Sequence, residues 1–488
     1  AAIRKDLWEE YPFDPALPGL EDIDWAKFWM EKGYKVVYEP QAGLYHIHEE
    51  TWRQIKRRYY REAVAARWIG IKSKRHVILD LYSEMIYLAE DIVSSLFSGS
   101  NKLYRIHESV LFRFYKAYGN ARGLLEKFSL QNPERRDALF FDRSCKAVVI
   151  EGVNKATFTE VPIPEIKPGD VLIRTAYVAI CGTDLEILDG TLGYFESGMA
   201  KYPIIPGHEF SGTVVAVGNN VSDIKEGDSV VVECIQSCGN CPQCNKGNFI
   251  GCADRAEVGV LRRDGAYSEY VVTPAMFVHV LPDSIDLRSA ALCEPIAVAL
   301  KGFRRLGPYL NGSTQKTGKQ RCAVVGAGPL GHLCALLLDN MGHEVTVFDR
   351  DERRLQYFQG SSIHVNNDLV NGLSGQELLV EVTGDPEALQ SMLVNSDPGT
   401  TFLLLGLPYA QRSFSFESIV AYDKTVVGSV GSAREDFIEA IRLLPSLKMD
   451  HLIDHCFEPE NFRDAWEKFR SHEILKGLLK FSDDRELK

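Results

Sequence analysis

Nothing in the sequence marks it for a membrane span or for nucleic acid. Long uncharged apolar runs are missing: the most hydrophobic stretch, His76 to Phe97, carries Asp80, Glu84, Glu90 and Asp91, too many charges to cross a bilayer. No secretory signal pattern opens the chain. An excess of positive charge is missing too. The 55 Lys and Arg against 67 Asp and Glu leave a formal net charge of -12, the wrong sign for a nucleic-acid surface. The eleven cysteines lack the distribution of a disulfide framework, and the chain is too long for one. Four crowd between Cys238 and Cys252, whereas Cys145, Cys322, Cys334 and Cys456 are scattered and read as buried thiols. This usage predicts a reducing compartment with metal sites, the cytoplasm by default. The chain starts at Ala1 in mid-pattern, without an initiator Met, which reads as a fragment of a longer protein.

What is present is the composition of a globular protein, 45% hydrophobic and 25% charged over 488 residues. At ~150 residues each, that length holds roughly three domains. In the first, Leu20-Glu21-Asp22-Ile23-Asp24-Trp25 opens a helix with carboxylates in its first turn, where the helix dipole favours them. Tyr34 to Tyr38 alternates like a strand, closed by Pro40. Tyr45-His46-Ile47-His48 would place both imidazoles on one side of a strand. A basic helical stretch from Arg53 to Arg75, interleaved with Trp52, Tyr59, Tyr60 and Trp68, suits either an anionic membrane surface or packing on a partner helix. Residues 131–137 are polar and Pro-interrupted, a linker.

From Lys146 short strands with Gly and Pro punctuation predict an all-β, barrel-like unit. Within it Cys181-Gly182-Thr183-Asp184 and Pro206-Gly207-His208-Glu209 supply a thiolate, an imidazole and a carboxylate. Such a mixed set suits zinc held with one position open. Cys238, Cys241, Cys244 and Cys252 have the spacing of a closed tetrahedral zinc site, which clips a lobe with little apolar content. Cys234 falls outside that spacing and reads as a spectator thiol. Further on, strand Cys322 to Val325 runs into Gly326-Ala327-Gly328-Pro329-Leu330-Gly331 and an apolar helix. Between strand and helix this turn predicts a dinucleotide pyrophosphate seated at the helix N-terminus. Asp349 ends the next strand, where a carboxylate accepts from the ribose hydroxyls and favours NAD over NADP; Arg350 beside it could swing towards a 2′-phosphate. Alternating strands and helices to about residue 455 predict a doubly wound parallel sheet. The interval Asn366 to Gln376 is too short for a full helical crossover.

Two resemblances follow from these motifs. The order Glu21-Asp22-x-Asp24-Trp25, Lys32-Gly33-Tyr34, Tyr38-Glu39-Pro40 and His46-x-His48 resembles the acceptor half of a family 2 glycosyltransferase of the GT-A fold. That implies Asp22 as catalytic base and His46 as a candidate metal ligand, in an incomplete α+β segment over residues 1–138. The donor half, with its Asp-x-Asp motif, is not among these residues, so no glycosyl transfer is expected of the chain as it stands. From about 144 to 488 the cysteine, histidine and glycine motifs, with Cys293-Glu294-Pro295, resemble zinc-dependent medium-chain dehydrogenases of the glucose and polyol branch. This implies a GroES-like catalytic domain over 144–300 and 455–488, a Rossmann domain over 301–454, one catalytic and one structural zinc, and NAD. It implies Cys181, His208, Glu209 and Glu294 around the catalytic metal, with Cys293 competing for the last place. Thr183 takes the proton-relay role, and Glu257 that of a substrate-binding residue. The turn Lys424 to Phe437 would approach the nicotinamide, and a homo-oligomer is implied. The function so implied is reversible hydride transfer between a sugar or polyol and NAD. A threonine-type alcohol dehydrogenase is the alternative, as is a glycosyltransferase whose dehydrogenase half only scaffolds.

Overall fold

The computed structural model describes residues 7, 20–34, 52–68, 71–97, 102–125, 144–307, 318–407 and 416–482. The chain divides into two compact units, residues 1–143 and 144–488. The expected strand at Tyr34–Tyr38 beyond its first residue, the pair His46 and His48, and the 131–137 linker lie outside the described residues.

The first unit contains helices α1 (Glu21–Glu31), α2 (Trp52–Trp68), α3 (His76–Phe97) and α4 (Lys102–Leu125). Helix α1 begins where the acidic cluster predicts. Helices α2 and α4 touch backbone to backbone: a Cβ on Gly119 would lie 2.3 Å from the Lys56 carbonyl oxygen, and one on Gly123 2.4 Å from that of Tyr60. Two basic residues of α2, Lys56 and Arg67, serve this contact. Lys56 sits over the Tyr118 ring, Lys116 and Arg122 of α4 sit over Tyr59 and Tyr60, and Arg67 donates to the Leu124 carbonyl at 3.0 Å. Of the two readings of that basic stretch, these contacts are those of packing on a partner helix. No described helix is long and apolar enough to cross a membrane.

The second unit is built on two sheets. In the first, β3 (Asp170–Ala179) is central, pairing antiparallel with β4 (Glu209–Val217), β9 (Tyr270–Pro274) and β18 (Leu478–Lys480). Strands β5 (Ser229–Val232) and β10 (Val278–Val280) extend it on one side and β17 (Cys456–Phe457) ends it on the other, seven strands in all. A hairpin of β1 (Ser144–Gly152) and β2 (Lys155–Pro162) and a small sheet of β6 (Ile235–Gln236), β7 (Ala256–Val258) and β8 (Arg262–Arg263) complete this part. The β-rich reading of this segment holds, but two of the seven strands come from the far end of the chain. Cys456, expected buried, is exposed, because β17 is the edge of the sheet.

The other sheet is all parallel, in the order β13 (His364–Asn366), β12 (Glu344–Phe348), β11 (Arg321–Val325), β14 (Leu378–Glu381), β15 (Thr401–Leu404) and β16 (Thr425–Gly428). This is the doubly wound order with its switch point between β11 and β14, where such sheets take their ligands. No helix stands between β13 and β14, as the short interval predicts. Helix α5 (Gly182–Asp189) follows β3, and α6 (Cys293–Leu306) joins the two sheets. From α6, Ile296, Ala297, Leu300 and Phe303 share one core with Ala176 and Ala179 of β3 and with Val324 and Val380 of the parallel sheet. Burying each large side chain contributes about 1.5–3 kcal/mol.

Helix α7 (Pro329–Asn340) rises from the glycine turn. Gly326 has φ +108, and a Cβ on Gly331 would stand 1.8 Å from the Gly326 carbonyl oxygen. Backbone cannot yield to that contact cheaply. Gly331→Ala should therefore destabilise the second unit by about 1–3 kcal/mol, read as a lowered thermal midpoint; a midpoint equal to wild type would show that the turn is not as tight as described.

Candidate active site

Strand register assembles the first donor cluster. Ala179 of β3 pairs with Glu209 of β4, so the chain leaving β3 runs beside the chain entering β4. Cys181, two residues on, thereby meets His208. The side-chain donors of Cys181, His208 and Glu209 all lie within 4.8 Å of one another. Gly207 makes the approach possible, with φ +95 and a Cβ position 2.3 Å from the Tyr267 ring, so no other residue fits there without strain.

Asp184 holds this corner from behind. Fully buried, it accepts the Cys181 N–H at 2.9 Å, the Gly207 N–H at 3.3 Å and the Tyr267 hydroxyl at 3.1 Å. Its Oδ1 lies 3.8 Å from His208 Nδ1. Tyr267 in turn accepts from Trp466 Nε1 at 3.3 Å. Burial pushes the Asp184 carboxyl up, against the pull of His208 and of the Cys181 N–H. His208 Nδ1 faces this carboxylate but makes no hydrogen bond with it. A half-buried sulfur with a buried imidazole and carboxylate within reach of one ion fit zinc.

Lys476 was not singled out in the sequence. It lies in the apolar run Ile474 to Leu479, just before β18, and is 2% exposed. Its Nζ stands 2.5 Å from Glu209 Oε2, both side chains 3% exposed. A lone lysine inside a buried run was the available signal, since lysine is almost never fully buried unless paired. Glu294 opens α6 and is buried. It does not join the three donors at mutual 4.8 Å distance but lines the same cavity. Burial, more than its neighbours Glu209 and Glu257, pushes its carboxyl up to about 7, against the opposing pull of His208 and Lys476. Cys293 is fully buried in a core cluster, its thiol pushed up to about 12 by burial, and does not line that cavity among the described residues.

The cavity has a volume of about 810 Å3. Its walls include Cys181, Thr183, His208, Glu209 and Glu294 together with Pro329 and Leu330 of the glycine turn. Ser429, Val430 and Gly431, from the turn expected near a nicotinamide, also line it. So do Cys234, Arg255 and Glu257. At the nucleotide end Asp349 accepts the Ala327 N–H at 2.6 Å and the Asp351 N–H at 2.8 Å. Arg354, rather than the exposed Arg350, faces its carboxylate, at 3.8 Å.

The second donor cluster is Cys238, Cys241, Cys244 and Cys252, again within 4.8 Å. Cys244 Sγ lies 3.5 Å from that of Cys241 and 3.9 Å from that of Cys238. A hydrogen bond with Ser237, more than that with Cys241 and enough to overcome burial, draws the Cys244 thiol down to about 6. Four sulfurs with no fifth position fit a structural zinc. All eleven cysteines are unpaired. Asp22 stands in the first turn of α1, in the other unit; His46 lies outside the described residues.

A doubly wound nucleotide-binding sheet joined to a β-domain that presents a sulfur–nitrogen–oxygen donor set defines the class of metal-assisted dinucleotide dehydrogenases. Residues 167–283 match the family described as "Alcohol dehydrogenase GroES-like domain", and 287–481 match "Glucose dehydrogenase C-terminus". The L-threonine 3-dehydrogenase of Streptomyces avermitilis is 35% identical over 290 residues, 56% of this chain and 80% of that protein. The L-galactonate-5-dehydrogenase of Escherichia coli K12 is 29% identical over 338 residues, 66% of this chain and 94% of that one. Among solved structures, a zinc-binding dehydrogenase of Sinorhizobium meliloti bound to NADP superposes with a TM-score of 0.62 at 27% identity, covering 69% of this chain and 99% of that one. The chain belongs to the zinc-dependent medium-chain alcohol dehydrogenase family, and is an oxidoreductase of the type acting on CH–OH donors.

Removing one partner of a buried ion pair leaves an uncompensated charge, at a cost of about 3–5 kcal/mol. Lys476→Met should thus lower the thermal midpoint of chelator-treated protein, and Lys476→Met with Glu209→Gln should recover most of the loss. Equal midpoints for wild type and Lys476→Met would mean that water already solvates Glu209.

Proposed function

We propose that this protein interconverts a secondary alcohol of a sugar or polyol with its carbonyl, by hydride transfer to or from NAD. One observation carries the reading: the donor set Cys181–His208–Glu209 and the glycine turn Gly326–Gly331, through Pro329 and Leu330, line one cavity. Cys181, His208 and Glu209 would hold a catalytic zinc, with Glu294 near the fourth position. Cys238, Cys241, Cys244 and Cys252 would hold a structural one. Bound there, zinc supplies Lewis acidity towards the substrate oxygen, and the nicotinamide accepts the hydride.

The remaining work falls to the chain itself. Thr183, on the cavity wall, takes the hydroxyl proton through its own oxygen and passes it outward. Leu192, Ile235, Leu405, Leu407 and Val430 line the same cavity with apolar surface, which disfavours water. Gly326, Gly328 and Gly331 let backbone approach the pyrophosphate at the α7 N-terminus. Asp349 accepts from the ribose hydroxyls; this supports NAD over NADP, with Arg354 rather than Arg350 placed to modify the preference. Eleven unpaired thiols support a reducing compartment such as the cytoplasm. A threonine-type substrate is the second reading, favoured by the 35% identical relative. For residues 1–138 the glycosyltransferase-like reading, with Asp22 as base, rests on the order of the Glu21-Asp22, Lys32-Gly33-Tyr34 and His46-x-His48 motifs alone; nucleotide-sugar binding to the whole chain tests it.

Metal analysis should find two zinc ions per chain. Absorbance at the reduced-nicotinamide band should rise with NAD and a panel of polyols, sugars and L-threonine, and the rise should stop after chelation. Thr183→Val should keep both zinc ions and lose about 100-fold or more in kcat. A protein carrying two zinc ions that oxidises no alcohol in the panel would overturn the proposal.

A further inference from the structure

Beyond the metal donors, the cavity wall carries a closed polar triad. Glu257 on β7 receives all its described contacts on one oxygen: Oε1 accepts the Tyr194 hydroxyl at 3.1 Å and lies 2.9 Å from Arg255 Nε. Arg255 closes the ring by donating from Nη2 to the Tyr194 oxygen at 2.8 Å, and anchors it by donating from Nη1 to the Ile250 carbonyl at 2.7 Å. Tyr194, Arg255 and Glu257 all line the cavity, and the side chains of Arg255 and Glu257 are 13% and 11% exposed.

Two consequences follow from the donor and acceptor count. Glu257 Oε2 takes no hydrogen bond from a described residue, so the carboxylate is fixed by one oxygen and offers the other. An alcohol O–H is the natural donor for it. Arg255, for its part, faces the triad with Nε and Nη2 and spends one Nη1 N–H on the Ile250 carbonyl, and its charge is matched by Glu257 at contact distance. The other basic side chain on the wall, Lys476, is matched by Glu209 at 2.5 Å. Among the described lining residues no arginine or lysine is therefore left unpaired, and Glu294 adds a further carboxyl. A carboxylate or phosphate on the substrate would meet a wall whose positive charges are spent and whose free acceptor repels it. Hydroxyl groups would meet an acceptor in Oε2 and residual N–H donors on Arg255.

We propose that Arg255 and Tyr194 are specificity-determining residues: they pin Glu257 so that Oε2 reads a substrate hydroxyl, and the cavity selects uncharged polyhydroxy chains over the aldonates and phosphates of the same carbon skeleton. This rests on the dehydrogenase reading and narrows it to a substrate class. A site built to hydrogen-bond a hydroxyl discriminates strongly, because leaving its buried polar groups unpaired is costly.

The test uses the zinc-replete full chain with NAD, and compares xylitol and D-glucitol with the matching aldonates, the matching polyol phosphates and propan-2-ol. The uncharged polyols should exceed their charged counterparts in kcat/KM by at least about tenfold. Arg255→Met should raise KM for the polyols by about tenfold or more and lower the ratio of polyol to propan-2-ol kcat/KM; Tyr194→Phe should shift the same ratio in the same direction, by less. If Arg255→Met fails to retain zinc, the Tyr194→Phe ratio decides. Aldonates or phosphates preferred by wild type would overturn the proposal, as would a polyol to propan-2-ol ratio unmoved in both variants. Absence of turnover with every alcohol, propan-2-ol included, would instead remove the dehydrogenase reading and this proposal with it.

Discussion

The antiparallel register of β3 and β4 is the constraint on which the rest depends. With Ala179 opposite Glu209, a thiolate on one strand exit and an imidazole–carboxylate pair on the neighbouring strand entry have to meet. A slip of one residue would turn every side chain to the other face of the sheet. Gly207 locks the register locally, since its backbone lies against the Tyr267 ring where any Cβ would collide. The donor set is thus a product of backbone pairing inside a fully buried strand, β4 being buried over eight of its nine residues. That rigidity is what a metal site with an open position requires.

Such a corner gathers acidic side chains in a largely buried place. Cys181, Asp184, Glu209, Glu257 and Glu294 lie around one cavity or directly behind it. Burying each ion unpaired would cost several kcal/mol. The chain answers with specific partners: Lys476 for Glu209, Arg255 for Glu257, and backbone N–H groups with Tyr267 for Asp184. The compensation is incomplete at Glu294, whose carboxyl burial pushes up to about 7. A divalent cation among Cys181, His208 and Glu209 would relieve it further. The electrostatics and the donor geometry therefore favour the same occupant by independent routes.

Local spacing made part of this legible in the sequence. Four cysteines within fifteen residues and a glycine turn between strand and helix are short-range patterns whose geometry is fixed by a few φ and ψ angles. Both were placed as expected, and the doubly wound order of the parallel sheet follows from the same alternation of strand and helix. What stayed hidden is long-range pairing. Lys476 acts through Glu209, 267 positions earlier in the chain, and Trp466 through Tyr267. No periodicity reports such partners. Cys456 was misread for a related reason: its apolar chemistry suggested a core, but the order of strands in the sheet put it on an edge.

The C-terminal return shows why long-range pairing matters to function as well as to stability. Strand β18 inserts beside β3, and the turn leading to it carries two contacts only four residues apart. His472 meets Arg354 Nη2 at 2.6 Å, beside the carboxylate that ends β12. Lys476 meets Glu209 at the metal corner. One short segment therefore touches both the nucleotide end and the donor set, which otherwise belong to different sheets. Because β18 is hydrogen-bonded to the strand that delivers Cys181, displacement of either end is opposed by the register at the other. The parallel sheet and the donor corner are thus tied to one another by a third element, the segment leading into β18.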